Sequence, residues 1–114
     1  MVGTGRAGAV DFTHLETYVG GDQTIIREVL ALFSDQARTV LPHLDPDGPT
    51  EDWRNAAHSL KGSALGIGAM ALASACGDAE MAKDATLEEK RAARARIADC
   101  LGAALTDIAT YTGR

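Results

Sequence analysis

Apolar residues recur every three or four positions along most of this chain, and that spacing limits the fold more than any other feature. Such a period places apolar side chains on one face of an α-helix, whereas a half-buried strand needs strict alternation. No segment of the sequence alternates in that way. The clearest stripes are Ile25, Ile26, Val29, Leu32, Phe33 and Val40, and later Ile97, Leu101, Ala104, Leu105 and Ile108. The pattern predicts an all-α protein.

Capping residues divide the chain into five predicted helices. Asp11, Asp22 and Thr50 can each accept backbone N–H groups at a helix start. Thr86 and Glu89 have the spacing of a capping box, in which each side chain bonds the other's backbone. Glycines and prolines supply the ends. The predicted helices cover 11–19, 22 to about 41, 50–65, 69–83 and 87–111.

The length and the connections predict how these helices assemble. A chain of 114 residues suits one small domain. Four long helices with short connections predict an antiparallel four-helix bundle, with the short first helix capping one end. We assign this bundle to residues 10–114. Residues 1–9 are Gly-rich and lack the apolar core of a signal peptide, so we predict a flexible tail there.

Charge and composition exclude several classes of partner. The formal net charge is -5, whereas a nucleic-acid footprint is usually basic. No apolar run approaches the roughly 20 residues that span a bilayer. Cys76 and Cys100 lie in apolar helical segments and are too few for a disulfide framework. We therefore predict no nucleic-acid or membrane binding, reduced thiols and a cytoplasmic location.

A histidine faces outward from the middle of the predicted third helix. At about 100° per residue, the core stripe of that helix lies within about 40° of one direction. His58 then lies about 140° from the stripe, Gly62 about 180° and Leu65 about 120°. Arg54 lies at about 100° and Lys61 at the border, about 80°. The core stripe consists of Trp53, Ala57, Leu60, Ala64 and Ile67.

The residues around His58 suit phosphoryl chemistry. An imidazole ordinarily titrates near about pH 6.5, so its neutral form can act as a nucleophile. Lys61 can hold the negative charge of an added phosphoryl group. Gly62 leaves space for an approaching protein, although glycine inside a helix costs about 1 kcal/mol against alanine. The sequence has neither a P-loop nor a metal-site carboxylate cluster. We therefore predict no cofactor, no metal and no ATP-dependent kinase activity.

Residues 58–64, His-Ser-Leu-Lys-Gly-Ser-Ala, followed by Gly68, Ala69 and Leu72, resemble the signature of histidine phosphotransfer (HPt) domains of multistep two-component relays. The resemblance covers about residues 10–112 and includes Trp53 and Glu80. It implies a four-helix bundle that carries phosphate between receiver domains. By position, His58 is the phospho-acceptor, Lys61 the charge partner and Gly62 the clearance position.

The resemblance also implies the partners. They are response-regulator receiver domains, which carry Mg²⁺ themselves, and a sensor or hybrid histidine kinase. The chain would be a covalent phosphocarrier intermediate and a monomer. Because no Lys or Arg lies between Lys61 and Lys83, phosphate stabilisation rests largely on Lys61, with Arg54 as a second candidate. We predict that receivers dock through an apolar patch that includes Leu65.

Two other interpretations use the same residues. A helical adaptor that never carries phosphate would have the same fold and patch, but it gives the His58, Lys61 and Gly62 cluster no purpose. A metal site would use His14, His43, His58 and Cys76, whose spacing matches no ligand motif. The sequence identifies neither the kinase nor the receivers, and it suggests no role for Gly77.

Overall fold

Helices account for all the regular structure in the described part of the chain. The computed structural model describes residues 8–113, and no strand occurs among them. The elements are α1 Phe12–Tyr18, α2 Gln23–Val40, a 3-10 helix Leu41–His43, α3 Thr50–Gly66, α4 Met70–Met81 and α5 Leu87–Thr112. The all-α prediction is confirmed, and each predicted helix is present within a few residues of its expected bounds.

The predicted tail and the domain limits are only partly within the described residues. Residues 1–7 of the tail, and Arg114, lie outside them. The end of the tail is anchored, since the Ala9 N–H donates to Asp107 Oδ2 at 2.7 Å. Val10, which follows, is buried. The division into 1–9 and 10–114 stays a prediction.

Side-chain caps start three of the helices as the sequence predicts. Asp11 accepts from the N–H of His14, and Asp22 accepts from the first turn of α2. Both bonds of the capping box between Thr86 and Glu89 are present at the start of α5. The predicted cap at Thr50 is wrong. The N-cap is Pro49, whose extended backbone (φ -61°, ψ 138°) already sets the entry into α3, and no side chain caps it.

The turn between α3 and α4 depends on a left-handed glycine. Gly68 has φ +76°, a conformation that other residues adopt at a cost. Its carbonyl accepts the backbone N–H of Asp11 at 3.1 Å. A Cβ at Gly68 would also lie 3.1 Å from the Asp11 Cβ. The short turn therefore brings α4 back along α3 and seats both against the start of α1.

The four long helices close into a ring around one core. Helix α3 packs on α2 and α4, α4 packs on α5, and α5 returns to α2. The four-helix bundle is thus confirmed. Helix α1 packs on α2, and the Phe12 ring stacks on Tyr111 near the end of α5, with centroids 4.2 Å apart. The Tyr111 hydroxyl donates to Glu16 Oε2 at 2.6 Å, so α1 is held at one end of the bundle.

Candidate functional site

His58 projects from the middle of α3 into solvent. Its side chain is 66% exposed. The five residues predicted as the core stripe of α3 are all buried, which confirms the helical phase. The imidazole therefore fills no space in the core and is accessible to another protein.

A carboxylate on α4 contacts both His58 and Lys61. Glu80 Oε2 lies 2.9 Å from His58 Nδ1, and Glu80 Oε1 lies 3.0 Å from Lys61 Nζ. An ionised carboxylate can only accept hydrogen bonds, so the proton of a neutral ring resides on Nδ1. The other ring nitrogen, Nε2, then keeps its lone pair. One carboxylate thus orients the imidazole and holds the nearest cation.

Glu80 is ionised at neutral pH. The hydrogen bond from Lys61 is the largest cause that lowers the pKa of Glu80 below its ordinary value of 4.5. Partial burial acts in the opposite direction, and the hydrogen bond from His58 lowers the pKa again. Because the charged form has two donors, the carboxylate remains an acceptor throughout the neutral range.

Trp53 connects α3 to α4 in the interior of the bundle. This side chain is fully buried, and its Nε1–H donates to the Ala79 carbonyl at 2.8 Å. The Lys90 ammonium lies 5.5 Å from the centre of its ring, within cation–π range. Ala79 immediately precedes Glu80. The indole therefore fixes the position along α4 at which Glu80 meets His58.

Gly62 is not required by packing within the chain. A Cβ at this position would have no described atom within 4 Å, apart from its own helix backbone and chain neighbours. The glycine is exposed one turn after His58. Neither a close contact nor a positive φ requires a glycine at this position. Packing within the described residues therefore does not explain why a residue of low helix propensity is found here.

Arg54 is engaged by a neighbour on its own helix. Its Nε donates to Glu51 Oε1 at 2.8 Å, and this hydrogen bond is the main cause that lowers the pKa of Glu51. The structure places Arg54 one turn before His58, but its guanidinium contacts Glu51 and not the Glu80 carboxylate. Contact with a phosphoryl group would require Arg54 to leave Glu51.

Leu65 lies at the centre of an exposed apolar area. It is 45% exposed and lines grooves toward Met70 on one side and Tyr18 on the other. Leu32 on α2 borders the adjoining groove at Gly66. We call Leu65, Tyr18, Leu32 and Met70 the apolar face. All four side chains are exposed near the C-terminal end of α3.

Sequence analysis missed three members of the apolar face. It placed Leu32 in the core stripe of α2, but that residue is 68% exposed. The buried stripe of α2 instead consists of Ile26, Leu30, Phe33, Ala37 and Val40. That set follows a regular spacing of three and four residues from which Leu32 is excluded, and this phase is the signal that could have found it. Tyr18 and Met70 carried no such signal.

The residues considered for a metal site are not brought together. Among residues 8–113, no group of three or more His, Cys, Asp or Glu could hold a metal ion. Burial raises the pKa of Cys76 to about 12, so its thiol stays protonated. His14 lies beside Tyr18 of α1, near Leu65 and Gly66 at the C-terminal end of α3.

A helical bundle that exposes a histidine held by a carboxylate of the next helix has the architecture of a histidine phosphotransfer module. The family model described as Hpt domain matches residues 28–111. The crystal structure of the histidine phosphotransferase ShpA from Caulobacter crescentus is similar, with 42% sequence identity and a TM-score of 0.76. The match covers 93% of this chain and 92% of that one. No curated protein matches.

The chain belongs to the Hpt domain family, and the resemblance inferred from residues 58–64 is confirmed. It is a phosphorelay carrier. Members of this family are not kinases, and they interact with receiver domains and histidine kinases. None of the helices in the described part of the chain combines the length and hydropathy of a transmembrane span.

Proposed function

We propose that His58 carries the phosphoryl group on Nε2. The observation that supports this most directly is the 2.9 Å contact between His58 Nδ1 and the Glu80 carboxylate. With the proton on Nδ1, the Nε2 lone pair attacks the phosphorus of a receiver's aspartyl phosphate. The N–P bond forms as the P–O bond to the aspartate breaks, and the aspartate leaves as a carboxylate. The ring becomes positively charged, and its Nδ1–H continues to donate to Glu80.

Lys61 serves as the charge partner of the phosphoryl group in this proposal. Its ammonium is already held beside His58 by Glu80, at 3.0 Å. Phosphorylation introduces a second anion next to the same cation. The Lys61 ammonium then interacts with both Glu80 and the phosphoryl oxygens. It therefore stabilises phosphorylated His58 less than a lysine without a carboxylate partner would. Such a balance suits a carrier that must also release the group.

The apolar face and Gly62 form the receiver-docking surface in this proposal. Leu65 is the member predicted from sequence, and Tyr18, Leu32 and Met70 extend it. Exposed apolar area at a reactive residue favours protein contact over solvent. Gly62 adds no side chain between this face and the imidazole. Arg54 lies at the opposite edge, where it can approach a phosphoryl group once released from Glu51.

The remaining assignments follow from the chain's own residues. We propose that Mg²⁺ is bound by the receiver and that this chain binds no cofactor, metal or ATP of its own. We also propose a monomer that acts in the cytoplasm without nucleic-acid or membrane contacts. The net charge of -5 supports the absence of nucleic-acid contacts, and the two free cysteines support the cytoplasmic location.

The test is phosphoryl transfer from a phosphorylated receiver domain to the chain and to its His58→Gln variant. The parent should acquire a label that is stable at neutral pH and lost in acid, as phosphohistidine is. His58→Gln should acquire none and keep its melting curve, since exposed substitutions usually change stability by about 0.5 kcal/mol or less. His14→Gln and His43→Gln are matched controls, because both side chains are exposed and should remain dispensable.

Two outcomes would contradict the proposal. Acid-labile labelling of a folded His58→Gln protein would move the acceptor elsewhere. A parent chain that binds receivers through the apolar face and is never labelled would instead indicate the adaptor function.

A further inference from the structure

The second unexplained glycine of this region, Gly77, lies under the side chain of Lys61. It occupies the interior of α4, where glycine costs about 1 kcal/mol against alanine. A Cβ at Gly77 would lie 3.6 Å from Lys61 Cδ. Apart from its own helix backbone and chain neighbours, no other described atom lies within 4 Å of that Cβ. Among the described residues, the lysine stem is therefore the nearest part of another helix to this position.

The lysine stem crosses α4 at one particular turn. Lys61 starts on α3, passes over Gly77 and ends at Glu80, one turn further along α4. Helices α3 and α4 approach closely because many of their buried residues are small, including Ala57, Ala64, Ala73 and Ala75. At this turn the methylene groups of Lys61 border Gly77 and form one wall of an open groove along α4. Gly62 and Gly102, by contrast, border open space.

We propose that Gly77 is a positioning residue for phosphoryl transfer: the absence of a side chain larger than a methyl group lets the Lys61 stem cross α4 and hold its ammonium on Glu80, beside His58. The consequence for transfer rests on the proposed function. The effect of Gly77 on the position of the Lys61 side chain involves only Gly77, Lys61 and Glu80, and it does not depend on the proposed function.

Side-chain size should decide the effect of substitution. One methyl group at 3.6 Å makes an ordinary van der Waals contact, so alanine should be tolerated. A leucine would occupy the volume of the lysine stem and turn Lys61 toward solvent. Glu80 would then lose the hydrogen bond that lowers its pKa most. The charged groups that act on the pKa of Glu80 are Lys61 and His58, and Glu80 in turn raises the pKa of Arg54.

The experiment compares Gly77→Leu with Gly77→Ala, with Lys61→Ala and with the Gly77→Leu/Lys61→Ala double variant. Gly102→Leu is the matched control, since Gly102 is also helical but has open space around it. Both alanine and leucine favour helix over glycine, so the variants should fold. Two quantities are measured: the Glu80 titration, from carboxyl ¹³C shifts, and the rate of transfer from a phosphorylated receiver domain.

Gly77→Leu should raise the pKa of Glu80 and slow transfer roughly ten- to a hundredfold, both to the levels of Lys61→Ala. The double variant should equal Lys61→Ala alone, because the two changes remove one interaction. Gly77→Ala and Gly102→Leu should match the parent. A leucine effect that persists in full in the Lys61→Ala background would show that Gly77 acts on docking directly and would overturn the proposal.

An unchanged Glu80 titration in Gly77→Leu would overturn it as well. A failure of the proposed function would give a different result in the labelling experiment. If the parent chain is never labelled, His58 is not a carrier, while the Glu80 titration still decides whether Gly77 positions Lys61.

Discussion

Replacing Glu80 separates its role as a hydrogen-bond acceptor from its role as a charge. Glu80→Ala removes both the acceptor for His58 Nδ1–H and the anchor for Lys61. Glu80→Gln keeps an oxygen of similar reach that can accept from Nδ1–H, but it carries no charge. If the carboxylate orients the imidazole, the two variants should differ in the rate of phosphoryl transfer from a receiver.

The magnitude follows from the exposure of the pair. A hydrogen bond to a charged group contributes about 1.5–3 kcal/mol when it is shielded from water. The His58 side chain is 66% exposed and that of Glu80 20%, so water competes and about 1 kcal/mol is expected. Since about 1.4 kcal/mol corresponds to tenfold, the lost His58 hydrogen bond in Glu80→Ala should by itself slow transfer about fivefold, and the lost Lys61 anchor should slow it further. Glu80→Gln should stay within about twofold of the parent.

The loss of charge has a second effect, on the lifetime of the phosphorylated form. In Glu80→Gln the Lys61 ammonium has no carboxylate partner and is available to the phosphoryl oxygens alone. The phosphoryl group also loses a neighbouring anion. Both changes stabilise phosphorylated His58, so Glu80→Gln should shift the exchange equilibrium with a receiver toward the carrier.

The assay combines ring ¹⁵N shifts of His58, which report the tautomer, with quenched transfer kinetics. Asp78→Ala is the matched control, since Asp78 is an exposed carboxylate of the same helix that contacts Arg96 instead. The reasoning is refuted if Glu80→Ala keeps the parent tautomer and rate. It is also refuted if Glu80→Gln transfers as slowly as Glu80→Ala.

Further expectations concern the neighbouring positions. Lys61→Ala should slow transfer with little change in melting temperature, at a cost of about 1.5–3 kcal/mol in the transition state. If the variant and the parent transfer at the same rate with each of several receivers, this prediction is contradicted. Leu65→Glu should weaken receiver binding and keep the fold, whereas Leu60→Glu should unfold the chain because it buries a charge; melting curves of the pair check the helical phase. Gly62→Gln should be stable but transfer poorly, while Gly62→Ala transfers normally, and a glutamine variant as fast as the parent would remove the steric role. The pKa of Glu80 is depressed in the folded state, so the stability that it contributes is present above about pH 4.5 and is lost as the pH falls through the folded value; urea unfolding of the parent and Glu80→Gln should therefore converge in acid.

The helices and the outward position of His58 could be read directly from the sequence, because both depend on local rules. A period of 3.6 residues identifies a helix and the face that it buries, and the buried stripe from Trp53 to Ile67 follows that period. Caps at Asp11, Asp22 and Thr86 are equally local, since each side chain bonds a backbone group two or three residues away. The predicted cap at Thr50 was wrong because the extended backbone of Pro49 leads into the helix and no side chain caps it.

The relationships between helices required the tertiary structure. Glu80 is 22 positions from His58, and no period along one helix relates them. They meet because the turn at Gly68 reverses the chain and because Trp53 bonds the Ala79 carbonyl, which together set how far α4 slides along α3. The same packing places Gly77 beneath Lys61. The local pattern determines which face of a helix is apolar, but only the packing of the neighbouring helices decides which atoms that face meets.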